Sequence, residues 1–317
     1  MTSMSAKLIN IGIQLRIKKH VSTPQDLVAH LRKVASPPMP IPLPASVTKK
    51  PDTIAGVPGT WVEVEDPTMT IIYFHGGAFI AGDIATYYHF AAELAKRLKA
   101  RVFLVDYRLA PEHPFPAGID DCYDVYKVLR QRAPETPLAI MGDSAGGSLT
   151  LVTMIRAKED NIAMPDCAVA ISPGGELYDD VHSRVANATS DVMLAPSVFD
   201  MLPELYCPGE DLTSPLLSPC RGDYSGFPPL CITVSEHEAL RDDAYMIKAA
   251  ADNAGVSTQL ISRRRMPHIW PVLFPFLKEA KQDFPILVEF IRKHTVATLG
   301  SPSPHVASTV AAKNIAA

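Results

Sequence analysis

The stretch "IMGDSAGGSL", from Ile140 to Leu149, joins an apolar run to a series of small and aliphatic residues. The apolar run predicts a buried strand that ends near Asp143, and the residues after it predict a helix. A tight turn between a strand and a helix needs small residues, which is one interpretation of the stretch. The other is a nucleophile elbow, whose Gly-x-Ser-x-Gly pattern puts glycines where larger side chains would clash. Ser144 is therefore a candidate nucleophile, provided that the chain also supplies a base, an acid and donors for an oxyanion.

The rest of the chain alternates strands with helices. Seven short and largely apolar runs predict strands: "WVEVED", "MTIIYFH", "RVFLVDY", "LAIMGD", "CAVAISP", "LCITVSE" and "STQLISRR". Helical patterns separate most of these runs, and apolar strands that alternate with helices form a parallel sheet covered on both faces. The sequence therefore predicts an α/β fold with a mostly parallel central sheet and helices on both faces.

An alternation of apolar residues lies near the start of the chain. It consists of Ile9, Ile11, Ile13, Leu15 and Ile17. A period of two predicts a short strand. A helix docked on the rest of the protein is the alternative, and the sequence does not decide between them.

Composition excludes several classes of protein. The chain has 317 residues with 47% hydrophobic residues and a formal net charge of −4, which indicates a globular domain and disfavours nucleic-acid binding. No run approaches the roughly 18 apolar residues of a membrane span, so stable membrane insertion is not expected. No convincing targeting segment is present, which predicts a cytoplasmic location.

The five cysteines fit no metal motif and predict free thiols, with a Cys207–Cys220 bridge as the alternative.

A second glycine-rich turn follows the predicted strand "MTIIYFH". Gly76, Gly77 and Ala78 carry no side chain larger than a methyl group, so a substrate carbonyl could approach their backbone N–H groups. The N–H of Ala145 would face the same place from the start of a helix, where the dipole favours a negative charge. Alone, "HGGAF" has the simpler interpretation of a glycine turn. Beside Ser144, it predicts an oxyanion hole.

The acid and the base should follow the serine in the order acid, then histidine, at the ends of later strands. Four acids follow the strand "LCITVSE": Glu236, Glu238, Asp242 and Asp243. The two aspartates fall in the first turns of a predicted helix, where they complement its dipole. Glu238 precedes that helix, in a loop from which a carboxylate can reach an imidazole, so it is the predicted acid.

The predicted base is His268, in the loop "MPHIWP" after the strand "STQLISRR". Its position fits the last place in the chain order of a Ser-acid-His triad. His237 competes for the role, but it shares a loop with the predicted acid and is poorly placed to reach the other side of the serine. A histidine in a surface loop without a catalytic role is the simpler alternative for His268.

These segments together resemble the hormone-sensitive-lipase-like family of bacterial carboxylesterases, within the α/β-hydrolase superfamily. The resemblance runs from about Ile71 to Trp270 and rests on "FHGGAFIAGD", "VDYRLAPEHPFPAGIDD", "GDSAGGSL", "LTSPLLSP", "GFPPLCITVSEHEALRDDA" and "MPHIWP". It implies a triad of Ser144, Glu238 and His268. Many relatives have aspartate where this chain has Glu238, and a third glycine where it has Ala78.

The resemblance also implies a division of the chain. Residues 1–45 would form an N-terminal cap segment, and residues 46–298 the catalytic domain, with a second cap insertion near 180–215. Residues 299–317 are rich in Ala, Ser and Pro and predict a disordered tail. Apolar cap residues such as Leu8, Phe199 and Leu202 suggest an apolar pocket wall, or a cap packed onto the core.

The implied activity is hydrolysis of short- to medium-chain carboxylic esters through an acyl-enzyme, without metal or organic cofactor. A small-molecule ester is then the expected partner, and a homodimer is compatible with the sequence. An amidase or aryl-formamide hydrolase of the same fold is one alternative. A ligand-binding receptor that has lost catalysis is another, because fold alone does not fix function.

Overall fold

The computed structural model describes residues 3–36 and 42–296, and the predicted tail at 299–317 lies outside them. Their strands form one eight-stranded sheet in the order β1-β2-β4-β3-β5-β6-β7-β8. The strands are β1 Thr48–Ile54, β2 Val57–Glu63, β3 Met69–Phe74, β4 Ala100–Val105, β5 Leu138–Asp143, β6 Cys167–Ile171, β7 Leu230–Ser235 and β8 Thr258–Arg263. All pairs from β4 to β8 are parallel, whereas β1 and β2 run antiparallel to their neighbours. The predicted α/β fold is confirmed.

Among the strands of the described residues, β1 is the one that the sequence did not predict. Its seven residues, "TKKPDTI", are exposed except for Ile54, so they show no apolar alternation. The strand forms because a tight turn at Ala55 and Gly56, both with positive φ, folds it back onto β2.

Helices cover both faces of the sheet. They are α1 Met4–Arg16, α2 Pro24–Ala35, α3 Tyr88–Leu98, α4 Ala117–Arg132, α5 Ala145–Glu159, α6 His182–Ala186, α7 Pro196–Tyr206, α8 Arg241–Asn253 and α9 Lys278–Val296. Residues of α3 and α9 pack on one face, and residues of α4, α5 and α8 pack on the other. The short central strands are buried on both sides, which is why their sequences are continuously apolar.

The N-terminal alternation of isoleucines forms helix α1, so the strand expected from its period is wrong. The Ser3 hydroxyl caps the helix by accepting from the Ala6 N–H, and the Ser3 N–H and hydroxyl both donate to the Glu279 carboxylate. A period of two on a helix puts apolar residues on opposite faces. Ala6 is buried toward the core, whereas Leu8 and Ile11 are exposed.

Helices α2 and α7 pack together over the carboxyl edge of the sheet. Leu27 of α2 and Leu202 of α7 belong to one apolar cluster with Ile80, which lies just after β3. This cluster, which we call the cap cluster, also contains Val21, Ala110, Val198, Leu205, Tyr206, Cys207 and Leu217. The two segments predicted as caps therefore meet next to the loop that follows β3.

All five cysteines are free thiols, so the alternative of a Cys207–Cys220 bridge is wrong. None of the helices within residues 3–36 and 42–296 has the length and apolar character that crossing a bilayer requires.

Candidate active site

Ser144 occupies a sharp turn between β5 and α5. Its φ of 54° and ψ of −121° are unusual for a residue with a side chain. The Ser144 N–H donates to the Ile171 carbonyl at 2.8 Å, which continues the ladder between β5 and β6 into the turn. The side chain is half-buried and lines a cleft. The strand-to-helix turn expected from "GDSAGG" is therefore present, with the serine at its apex.

The glycines on either side make this turn sterically feasible. A Cβ on Gly142 would lie 2.2 Å from the Gly146 carbonyl oxygen, and a Cβ on Gly146 would lie 1.9 Å from the Phe74 carbonyl oxygen. Both distances are far shorter than a non-bonded contact allows. The Gly-x-Ser-x-Gly spacing thus reflects the close approach of β3, β5 and α5 around Ser144.

The loop after β3 lies beside the serine. A Cβ on Gly76 would lie 3.1 Å from Ser144 Cβ, whereas Gly77 has a φ of +133° that favours glycine. Ala78 also has a positive φ, of 55°. Within the described residues, no acceptor is recorded for the N–H groups of Gly77, Ala78 or Ala145. These three donors remain available for a ligand.

The fourth predicted donor, the N–H of Gly76, is engaged within the protein. It is shared between Asp143 Oδ1 and the Tyr87 hydroxyl oxygen, at 3.1 Å each. The prediction that Gly76 supplies an oxyanion donor is therefore wrong. The buried Asp143 carboxylate needs donors of its own, and the adjacent loop provides this one.

Asp143 holds the loop to the elbow, a role that sequence reasoning did not find. Oδ1 also accepts from the Tyr73 hydroxyl at 2.7 Å, and Oδ2 accepts from the Tyr87 hydroxyl at 3.0 Å. Complete burial raises the pKa of Asp143 to about 6, although the two tyrosine hydroxyls oppose the rise. Three elements, β3, β5 and the segment before α3, are joined through this one carboxylate.

His75 orients its own loop. Its Nδ1 contacts the Gly76 carbonyl oxygen at 2.9 Å, and its ring stacks on Tyr107 with centroids 4.2 Å apart. Burial lowers the pKa of His75 to about 4, which indicates a neutral ring at neutral pH. The Tyr107 hydroxyl donates to the His75 carbonyl and completes this support.

Glu238 and His268 meet at the ends of β7 and β8. His268 Nδ1 lies 3.2 Å from Glu238 Oε2, and both residues are almost fully buried. Burial lowers the pKa of His268, but the carboxylates of Glu238, Asp191 and Asp143 together raise it by more, so the net pKa lies above the usual 6.5. Burial also raises the pKa of Glu238, and His268 opposes that rise. Within the part of the chain that the structure describes, His268 Nε2 is buried without a hydrogen-bond partner.

The three competing acids make other contacts. Glu236 accepts from the Tyr245 hydroxyl at 2.7 Å on the surface. Asp242 accepts from the Ser183 N–H at 3.0 Å, and Asp243 accepts from the Gly175 N–H at 2.9 Å. The structure records contact with the His268 ring only for Glu238 among these four acids.

The competing base also lies elsewhere. His237 Nδ1 accepts from the Arg265 N–H at 3.4 Å, and the ring borders a separate surface cleft. Of the two candidate histidines, His268 is the one in contact with a buried acid.

Ser172, at the end of β6, is a second support that sequence reasoning missed. Its hydroxyl donates to Glu238 Oε2 at 3.1 Å and accepts from the Ile269 N–H at 3.3 Å. It thereby ties the predicted acid to the loop of the predicted base. A hydroxyl at the carboxyl end of the strand beside β5 was the signal that could have found it.

A family profile described as "alpha/beta hydrolase fold" matches residues 71–272. The chain belongs to the α/β-hydrolase family.

Relatives within the family are named for ester hydrolysis. An acetyl-hydrolase of Streptomyces hygroscopicus is 31% identical over 245 residues, covering 77% of this chain and 82% of that protein. The carboxylesterase NlhH of Mycobacterium tuberculosis is 33% identical over 217 residues, covering 65% of this chain and 67% of that protein.

Solved structures show which group within the α/β-hydrolase family the chain resembles. An esterase from the bacterial hormone-sensitive lipase family superposes with a TM-score of 0.83 at 29% identity, covering 93% of this chain and 99% of that one. A hormone-sensitive lipase from a metagenome library gives a TM-score of 0.81 at 32% identity, covering 91% and 97%. The predicted resemblance to the hormone-sensitive-lipase-like esterases is confirmed.

The cleft at Ser144 is lined mostly by apolar side chains. Its walls combine the elbow, the loop after β3 and the region of α6 and α7. They comprise Ala78, Phe79, Ser144, Ala145, Ser148, Gly174, Gly175, Glu176, Leu177, Arg184, Leu194, Val198, Phe199, Leu202, Leu217 and Leu240. Phe199 and Leu202 thus line the cleft as the sequence suggested, whereas Leu8 is 64% exposed on α1.

Arg32 holds helix α2 against the segments beside this cleft. Its guanidinium donates to the Ile80 and Ala110 carbonyls, at 3.0 and 3.1 Å, and pairs with Glu112. Glu112 of "YRLAPEHPFPA" therefore bonds a cap helix. Arg108 of the same motif pairs with Asp121 of α4 at 2.7 Å, so it has a structural role.

Proposed function

We propose that the chain is a serine carboxylesterase in which Ser144 is the nucleophile, His268 the general base and Glu238 its acid partner. The N–H groups of Gly77, Ala78 and Ala145 bind the oxyanion. The observation that carries the proposal is the buried Glu238–His268 pair. Glu238 Oε2 lies 3.2 Å from His268 Nδ1, so the unpartnered Nε2 of His268 is the nitrogen left to accept a proton.

Acylation begins when His268 Nε2 removes the Ser144 hydroxyl proton and Oγ attacks the ester carbonyl carbon. The carbonyl π electrons move to its oxygen, where the three N–H groups stabilise the negative charge. Each such donor contributes on the order of 3 kcal/mol in comparable sites. When the tetrahedral intermediate collapses, the imidazolium gives its proton to the leaving alcohol.

Deacylation repeats the sequence with water. His268 takes a proton from the water, hydroxide attacks the acyl carbonyl, and the Ser144 oxygen leaves with the proton that His268 returns. Glu238 carries no proton in either half. It holds the ring through Nδ1 and stabilises the positive charge that the imidazole gains twice in each turnover.

The cap segments supply the substrate-binding wall in this proposal. Residues 1–45 contribute α2, and the insertion near 180–215 contributes α7, whose Phe199 and Leu202 line the cleft. The apolar lining of the cleft suits acyl groups, and the family resemblance implies chains of short to medium length. No side chain larger than a methyl group projects from Gly77 or Ala78, so we also propose that bulky tertiary alcohols fit.

A panel of p-nitrophenyl esters with acyl chains from two to sixteen carbons tests this proposal. We expect kcat/KM to be highest between two and eight carbons, and tert-butyl acetate to be hydrolysed more slowly than ethyl acetate. Matched p-nitroanilides test the amidase alternative. Amide turnover equal to or faster than ester turnover would reject the esterase assignment, and no turnover of any ester would favour the non-enzymatic receptor.

A further inference from the structure

Helix α1 carries an apolar face that the protein does not cover. Met4, Leu8, Ile11 and Leu15 are 69%, 64%, 55% and 83% exposed. Their spacing of four, three and four residues places them on one side of the helix. The inward side is occupied separately, by the buried Ala6. We call these four residues the α1 stripe, and two of them, Ile11 and Leu15, belong to the five-residue alternation that first predicted a strand.

Positive charges flank the α1 stripe. Lys7 lies on one side of it and Arg16 on the other, and both are exposed, as is Lys19 just beyond the helix. None of the three forms an ion pair with the residues that the structure describes. The chain has no acidic residue before Asp26, although its formal net charge is −4. Cationic character is therefore concentrated around this one apolar surface.

The helix is fixed to the body of the protein beside the site. Asn10 donates to the Arg265 carbonyl at 3.2 Å, three residues before His268. Lys18 donates to the Ala188 carbonyl at 2.6 Å, in the segment between α6 and α7. A surface that binds the α1 stripe would therefore hold the whole enzyme in one orientation.

We propose that α1 is an interfacial helix that binds anionic lipid surfaces. The α1 stripe would enter the boundary between headgroups and acyl chains, while Lys7, Arg16 and Lys19 contact lipid phosphates. The 13 residues of α1 lie in the plane of the surface, since they are too few to cross a bilayer. This role is separate from ester hydrolysis, which does not require it.

The charges around the α1 stripe favour a lipid surface over a second copy of the chain as its binding partner. A symmetric dimer through the α1 stripe would bring the same patch of each copy together. Lys7 and Arg16 of one copy would then face the cations of the other, with no acidic residue on either helix to pair with them. An anionic lipid surface supplies both the apolar layer and the negative charge that this patch lacks.

Vesicle sedimentation tests the proposal. The full chain is mixed with phosphatidylcholine vesicles, with or without about one third phosphatidylglycerol. We expect binding to the anionic vesicles that weakens as salt is added, and at least tenfold weaker binding to neutral vesicles. The Leu8→Gln/Leu15→Gln variant should lose at least tenfold in affinity for anionic vesicles, while a matched Met246→Gln variant binds as the wild type does.

A charge-reversal pair gives an independent test if the first variant folds poorly. Lys7→Glu/Arg16→Glu should abolish binding, whereas Lys50→Glu/Lys293→Glu, with the same change in net charge, should alter it less than threefold. All variants should hydrolyse soluble p-nitrophenyl butyrate at the wild-type rate. The proposal is overturned if the wild type does not bind anionic vesicles, or if it binds neutral vesicles as tightly as anionic ones. It is also overturned if the wild type forms a dimer that the Leu8→Gln/Leu15→Gln change dissociates.

Discussion

The adjacent residues Asp143 and Ser144 have different roles. Ser144 adopts a backbone conformation that costs on the order of 1–3 kcal/mol, and the ladder bond from its N–H to Ile171 helps to impose it. The Asp143 carboxylate accepts hydrogen bonds from the Gly76 N–H and from the hydroxyls of Tyr73 and Tyr87. The strained residue exposes a hydroxyl to the cleft, and the buried residue fixes the loop that faces it.

Replacing Glu238 should move the pH profile of activity. Catalysis needs a neutral His268, so kcat/KM falls as the pH drops through its pKa, which Glu238, with smaller contributions from Asp191 and Asp143, raises above 6.5. In Glu238→Gln the imidazolium loses that stabilisation, so the acid limb should shift to lower pH. We also expect kcat to fall by about 10²–10⁴-fold. Asp242→Asn is the control, and a downward shift of the limb in that variant instead would show that the acid is wrongly assigned.

Asp143→Asn should impair catalysis without removing any group that touches the substrate. An amide cannot accept at both oxygen positions, so the Gly76 N–H or a tyrosine hydroxyl loses its acceptor. We expect kcat to fall about 10- to 100-fold and the free energy of unfolding to fall by roughly 1–3 kcal/mol. Steady-state kinetics and urea unfolding measure the two effects. Tyr73→Phe, which removes one donor, should cost less, and an unchanged kcat in Asp143→Asn would refute the positioning role.

The candidate triad could be inferred from the sequence because its pattern is local. Each residue follows an apolar strand, and parallel strands bring their carboxyl ends to one edge. The roles of Asp143 and Ser172 could not be inferred in this way. Their partners, Tyr87 and Ile269, come from distant segments that only the folded chain brings together. The same limit explains the wrong assignment of Gly76, whose N–H is taken by Asp143.

The loop after β3 acts as one element whose shape depends on small residues. Gly77 has a φ of +133°, and a Cβ there would lie 2.0 Å from the Ala81 carbonyl oxygen. Phe79, two residues further along the loop, stacks on Tyr206 of α7 with centroids 4.1 Å apart. The loop is thus fixed by Asp143 on one side and by a cap helix on the other.

Gly77→Val should therefore remove most activity while leaving the sheet folded. The β-branched side chain is strained at this φ and would displace the N–H groups proposed to bind the oxyanion. We expect kcat to fall at least 100-fold, with a far-ultraviolet circular dichroism spectrum like that of the wild type. Ala78→Gly is the control, because its φ of 55° suits glycine and the change removes only a methyl group. Wild-type turnover by Gly77→Val would show that this backbone does not bind the oxyanion.

Periodicity alone failed for the outermost elements. The apolar residues of α1 alternate because the helix has one face on the protein and another exposed, a pattern that a period of two also fits. Strand β1 has the opposite problem, since it is exposed on both faces and lacks a pattern. The central strands have neither ambiguity because helices cover both of their faces.

At the scale of the whole molecule, the cap cluster links the start of the chain to the site. Leu27 is 1% exposed in contact with residues of α7 and the loop after β3. Arg32 adds charged hydrogen bonds to the same loop. Substrate binding and the packing of the N-terminal segment should therefore depend on each other.

A variant lacking residues 1–45 should fold its sheet but bind substrate poorly. Removing Leu27 and Arg32 uncovers the apolar cap cluster and frees the loop that they hold. We expect KM to rise at least fivefold, with increased binding of a hydrophobic dye. Arg32→Ala should produce the same change in smaller degree and guards against general misfolding of the truncated chain. Unchanged kinetics in both proteins would contradict the assignment of this segment as a cap.

The most direct test of the proposed mechanism is covalent labelling of the nucleophile. The intact protein is treated with diethyl p-nitrophenyl phosphate, which releases one equivalent of p-nitrophenol as the serine oxygen bonds to phosphorus. Peptide mass spectrometry should then find a diethylphosphoryl group on Ser144, with activity lost in proportion to labelling. Labelling should be at least 100-fold slower in His268→Ala and absent from Ser144→Ala. Inactivation with the label on another residue, or Ser144→Ala that still hydrolyses p-nitrophenyl butyrate at the wild-type rate, would contradict the account.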